Sequence, residues 1–85
     1  MPKVVMYSTM SCPYCSRAER LLSSKGVADM EKIDVSDRPD LWKEMERRTG
    51  RNTVPQIYIG ERHVGGCDDL YDLESAGKLD QLLAG

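Results

Sequence analysis

The chain has 85 residues, enough for one hydrophobic core and too few for a second, so a single domain over residues 1–85 is expected. Hydrophobic residues at 40% and charged ones at 31% exclude a disordered chain. Twelve Lys and Arg are interleaved with fourteen Asp and Glu for a net charge of −2, which leaves no basic footprint for a nucleic acid, and no apolar run is long enough to span a membrane.

In chain order, Lys3 to Ser8 reads as a buried strand. Pro13 to Lys25 reads as a helix with Ala18, Leu21 and Leu22 on one stripe, ended by Gly26. Met30 to Val35 gives a second strand, with Ile33 and Val35 on one face and Glu31, Lys32 and Asp34 toward solvent or a sheet edge. Asp37, with Asp40 three residues on, gives a capping-box-like start to a second helix whose stripe is Leu41 and Met45, and Gly50 closes it. Gln56 to Gly60 and Arg62 to Gly65 flank the turn Gly60-Glu61 as an antiparallel hairpin. A third helix begins near Asp68 with Leu70 and Leu73. Gly77 breaks it, and Leu79, Leu82 and Leu83 form a short terminal turn or helix. The order βαβ then ββα predicts an α/β, thioredoxin-like fold: a four-stranded mixed sheet flanked by helices.

The chemistry concentrates at Cys12-Pro13-Tyr14-Cys15. Two thiols one helical turn apart at a helix start point to redox work, because the positive end of the helix dipole and its free N–H groups favour a thiolate, the attacking species. Pro13 suits the first helical position, where its missing N–H costs nothing. Cys12 then caps the helix as nucleophile, and Cys15 sits deeper as the resolving thiol. The alternative reading of the pair is half of a zinc site, but only Cys67, His63 and scattered carboxylates remain as ligands, so no metal is expected. Three cysteines and no signal-like segment before the first strand favour catalytic thiols over a disulfide framework and place the chain in the cytoplasm.

Two further motifs, Thr53-Val54-Pro55 and Gly65-Gly66-Cys67-Asp68-Asp69, follow the first at a spacing that resembles the glutaredoxins of the short bacterial dithiol class, over essentially the whole chain. The resemblance implies a glutathione-dependent thiol–disulfide oxidoreductase that reduces protein–glutathione mixed disulfides and protein disulfides through Cys12 and Cys15, which alternate between dithiol and disulfide. Glutathione would be the co-substrate, with no permanently bound cofactor. Disulfide-bonded or glutathionylated proteins would be the clients, ribonucleotide reductase among the candidates, and the chain would act as a monomer.

Within that resemblance Pro55 is cis, and Val54 beside it offers its N–H and C=O to the cysteinyl unit of glutathione, with Thr53 in the same segment. The alternative for Pro55 is an ordinary strand-entry proline. The N–H groups of Cys67 and Asp68 would take the γ-glutamyl carboxylate, the Asp68 side chain its ammonium group, and Gly66 would allow close approach. Asp68 or Asp69 alternatively acts only as a helix cap. Tyr14 would flank the same groove, or stand as a plain surface aromatic. Glutaredoxins commonly carry a lysine where this chain has Thr9, so the partner of the glycine carboxylate falls to Thr9, Arg51 or Arg47. Cys67 reads either as a small buried side chain or as a regulatory thiol. Trp42, Met45 and Tyr58 read as packing, His63 as a surface strand residue without a role, and Met10 and Ser11 as shaping the approach to Cys12. Two other functions compete: a redoxin fed by a flavoprotein, and a carrier of an iron–sulfur cluster held by Cys12 and glutathione. The Gly66-Cys67-Asp68 end argues against the first, and Pro13, Tyr14 and Cys15 against the second.

Overall fold

The computed structural model describes residues 2–85. Its first strand, β1 (Val4–Ser8), organises the rest, because its alternate side chains enter two different cores. Val4 and Met6 point to one face, where they meet Ala18, Leu22, Ile57, Ile59, Leu70, Leu79 and Leu83. Tyr7 points to the other, with Val35, Met45 and Tyr58, and Val5, Ile33, Leu41, Trp42 and Val54 packed against them.

α1 (Pro13–Ser24) and α3 (Cys67–Ser75) pack against each other, and their buried residues, with those of the short α4 (Leu79–Ala84), join the first core. Met45 of α2 (Pro39–Thr49) fills the second core. The sheet order is β2-β1-β3-β4. β2 (Glu31–Asp34) runs parallel to β1, with Tyr7 opposite Ile33, after the crossover through α1. β3 (Gln56–Ile59) pairs antiparallel with β1, Met6 opposite Ile57, and β4 (Arg62–Gly65) completes the hairpin with Tyr58 opposite His63. The mixed sheet and flanking helices are those expected from the sequence.

One local expectation is corrected. Asp37 and Asp40 do not make a capping box: the N-cap is Arg38, with no side-chain cap, and Asp37 lies in the left-handed region at φ 56°. The reason is Pro39. A helix capped at Asp37 would put Arg38 in helical geometry directly before a proline, which clashes. Arg38 instead lies outside the helical region (φ −126°, ψ 79°), Pro39 opens the helix, and Asp40 turns back to the Arg38 guanidinium at 3.1 Å. The other end behaves as read: Gly50 adopts φ 73° and closes α2 through its N–H to the Glu46 carbonyl.

Candidate active site

Cys12 is the N-cap of α1, extended at φ −117° and ψ 103°, and its sulfur accepts the Cys15 N–H at 3.1 Å. That bond takes one of the orphan donors of the first turn, with Pro13 occupying the first helical position. The sulfur thus sits at the positive end of the helix dipole with one backbone donor on it. Cys12 is partly exposed, whereas Cys15 is buried. Burial first, and the hydrogen bond with Cys12 second, push the Cys15 thiol up to about 12, while a hydrogen bond from the Thr9 main chain pulls the other way. The two thiols are thus unequal: one open and served by a donor, the other enclosed and protonated.

The Val54-Pro55 peptide is cis, and the Val54 carbonyl lies 3.9 Å from the Cys12 sulfur. The Val54 N–H has no partner among the described residues. Val54 lines an open groove together with Tyr14, Arg51, Thr53, Pro55, Gly66, Cys67, Asp68 and Asp69. Across the groove stands the amino end of α3, whose Cys67 and Asp68 N–H groups are likewise unpaired among the described residues. Asp68 is exposed and has no ion pair among the described residues, so a carboxylate and two backbone donors unpaired among those residues sit side by side.

Asp69, read from the sequence only as a possible cap, has a larger part. Its carboxylate accepts the Gly66 N–H at 2.9 Å and the Arg51 guanidinium at 2.8 Å, tying the loop before Val54 to the start of α3. The hydrogen bond from Arg51 first, then that from Gly66, holds the Asp69 carboxyl below its ordinary value. Arg51 and Asp69 are 18 residues apart, so nothing local in the sequence pairs them.

Of the residues singled out from the sequence, Tyr14, Thr53, Val54, Pro55, Gly66, Cys67, Asp68 and Arg51 share this groove. Thr9 does not line it. It borders a second depression on the cysteine pair, with Met10, Cys12, Cys15, Ser16, Glu19, Lys32 and Asp34. Arg47 is exposed on the last turn of α2 and also lies outside the groove. Cys67 turns its side chain into the core at 4% exposure, and burial raises its thiol. His63 departs from its reading as a surface residue. It is half-buried because β4 lays it across Tyr58, ring centroids 5.1 Å apart, with a ring nitrogen 2.8 Å from Gln56 Oε1. Among the described residues no three His, Cys, Asp or Glu side chains converge as a metal-ligand set.

An unequal thiol pair at a helix cap beside a cis-proline, on a mixed sheet of order 2-1-3-4, defines a thiol–disulfide oxidoreductase of thioredoxin-like fold. Residues 4–64 match the glutaredoxin family model. The chain is 58% identical over 84 residues to a glutaredoxin of Pseudomonas aeruginosa, covering 99% of both chains. It superposes on the solution structure of the Brucella melitensis glutaredoxin with TM-score 0.84 at 58% identity, covering 98% of this chain and 89% of that one. On a buckwheat glutaredoxin–glutathione complex the TM-score is 0.87 at 32% identity, covering 98% and 77%. The chain belongs to the glutaredoxin family, and is a glutathione-dependent thiol–disulfide oxidoreductase with a dithiol centre.

Proposed function

We propose that Cys12 is the nucleophile, Cys15 the resolving thiol, and the groove from Val54 to the start of α3 the seat of glutathione. The Cys12 thiolate attacks the glutathionyl sulfur of a protein–glutathione mixed disulfide. The protein–sulfur bond breaks, the protein leaves as a thiolate that takes up a proton, and glutathione stays on Cys12. A second glutathione thiolate attacks its sulfur, giving glutathione disulfide and regenerating Cys12. With a protein disulfide, Cys12 forms a mixed disulfide with the client, Cys15 displaces the client, and two glutathiones reduce the Cys12–Cys15 bond. Glutaredoxin potentials of about −200 to −230 mV lie within reach of a cytosolic glutathione pool, which suits a cytoplasmic site of action.

The observation that carries this reading is the match between groove and ligand. Beside the Cys12 sulfur lies an unpaired main-chain edge at Val54, suited to main-chain pairing with a cysteinyl unit. At the far side, the Cys67 and Asp68 N–H groups suit a carboxylate and the Asp68 side chain an ammonium, the two charges of a γ-glutamyl end. Arg51 supplies a cation for the remaining carboxylate, the part that the sequence left open among Thr9, Arg51 and Arg47. Tyr14, 56% exposed at the rim, offers a ring to pack on the bound peptide. Clients enter as extended disulfide-bearing segments, a class that includes ribonucleotide reductase.

Turnover of a glutathionylated peptide and of a protein disulfide should be compared among the unaltered chain, Cys12→Ser and Cys15→Ser. Cys12→Ser is expected to be inactive on both yet folded, since serine is itself a good cap. Cys15→Ser is expected to keep deglutathionylation and lose protein-disulfide reduction. Activity surviving in Cys12→Ser would overturn the nucleophile assignment.

A further inference from the structure

Gln56 is 0% exposed, and a buried amide must place each of its polar atoms. Its Nε2 donates to the Thr53 carbonyl at 2.9 Å and lies 3.3 Å from the Thr53 hydroxyl, while its Oε1 is 2.8 Å from His63 Nε2. The carbonyl of Thr53 only accepts, which fixes the amide with Nε2 toward Thr53 and Oε1 toward His63. Oε1 also only accepts, so His63 Nε2 carries the hydrogen. The ring is itself braced on Tyr58 across the hairpin.

The Thr53 carbonyl and the Val54 N–H belong to one planar peptide unit, and in a trans peptide they point in opposite directions. The Val54-Pro55 bond is the cis one among the described residues, so the Thr53-Val54 unit is trans. Anchoring the carbonyl on Gln56 therefore aims the Val54 N–H away from the core and into the groove.

We propose that His63 is a positioning residue for glutathione recognition: through Gln56 it sets the plane of the Thr53-Val54 peptide that pairs with the bound tripeptide. The inference rests on the glutathione reading of the groove. His63 touches neither thiol. Without its donor the Gln56 oxygen is buried and unpaired, and the amide is free to rotate and release Thr53. The reactivity of the cysteine itself is left alone, since α1 holds Cys12.

The test uses the full chain carrying Cys15→Ser, so that Cys12 exchanges with a disulfide in one reversible step: its thiolate bonds one sulfur, the disulfide breaks, and the other thiolate departs. Equilibrium constants are measured by mass spectrometry with glutathione disulfide and with 2-hydroxyethyl disulfide, which has no peptide to pair with Val54. His63→Ala is expected to lower the glutathione constant about five-fold, the loss typical of one hydrogen bond, and to leave the 2-hydroxyethyl constant unchanged. His63→Gln, which keeps a donor near the same point, is expected to restore the glutathione constant to within about two-fold. Gln56→Glu, which loses the donor to Thr53, should behave like His63→Ala. An unchanged glutathione constant in His63→Ala, or an equal fall for both disulfides, overturns the proposal. Asp68→Asn separates the two levels. If it lowers the glutathione constant while His63→Ala does not, the groove reading stands and the positioning role fails. If neither moves it, both fail.

Discussion

At the scale of single residues, the dithiol works because its members sit in different surroundings one helical turn apart. The Cys12 sulfur is served by the Cys15 N–H, while burial and the contact with Cys12 push the Cys15 thiol up to about 12. A raised thiol pKa means fewer thiolates at any given pH, and thiolate is the form that alkylates. With iodoacetamide at pH 8 the reduced chain is therefore expected to gain one adduct, on Cys12. Labelling of Cys15 should grow about tenfold per pH unit, levelling only near pH 12. Rapid modification of both motif cysteines at pH 8, seen by peptide mapping, would contradict the asymmetry. Cys67, buried beneath the start of α3 with its thiol also raised, should stay unlabelled in the folded chain.

The motif cysteines were readable from the sequence because their chemistry is local. Cap, proline and second thiol all lie within one turn, and backbone sterics alone put them in place. Asp37 shows the opposite outcome from equally local information: a cap-like spacing was overruled by the proline two residues on. Arg51 with Asp69 and Gln56 with His63 depend on elements meeting in space. No periodicity or spacing rule marks a histidine on β4 as the partner of a glutamine on β3, since that pairing follows from the hairpin register.

At the scale of elements, the joint between β4 and α3 is the tightest part of the site. Gly65 adopts φ +118°, and a Cβ there would run into the Asp69 carboxylate that holds Gly66 N–H and Arg51. Gly66 has an ordinary φ of −90°, and a Cβ there would meet the Pro55 carbonyl at 3.4 Å, across the groove. The adjacent glycines therefore serve different ends. Gly65→Ala is expected to destabilise the chain by about 2 kcal/mol through forced backbone geometry and a displaced cap. Gly66→Ala should leave stability within about 0.5 kcal/mol and raise KM for a glutathionylated substrate by narrowing the groove. Urea unfolding and steady-state kinetics check the pair, and equal destabilisation by both would refute the distinction.

At the scale of the molecule, one sheet separates two unequal cores: the smaller takes Val54, and the larger joins α1 to α3. Leu70, on α3, is fully buried in that core with Ala18 and Leu22 of α1, so it joins the helix bearing Cys12 to the helix whose amino end borders the groove. Removing its side chain should cost about 3 kcal/mol, a large part of the roughly 5–10 kcal/mol that holds so small a domain. Leu70→Ala is expected to lower the urea midpoint sharply; a shift worth less than about 1 kcal/mol would mean that the two helices are held together by something else.

The sequence by itself determined the order of elements, the amino-terminal cap of α1 and the end of α2, and the identity of the redox pair. These depend on contacts within a few residues, which spacing and side-chain type disclose. Tertiary structure decided which motifs share a groove, that Thr9 lies outside it, that Asp69 joins Arg51 to Gly66, and that His63 reaches Thr53 through Gln56. Those contacts cross between elements, and their distances exist only once the sheet has brought β3, β4 and α3 beside Cys12.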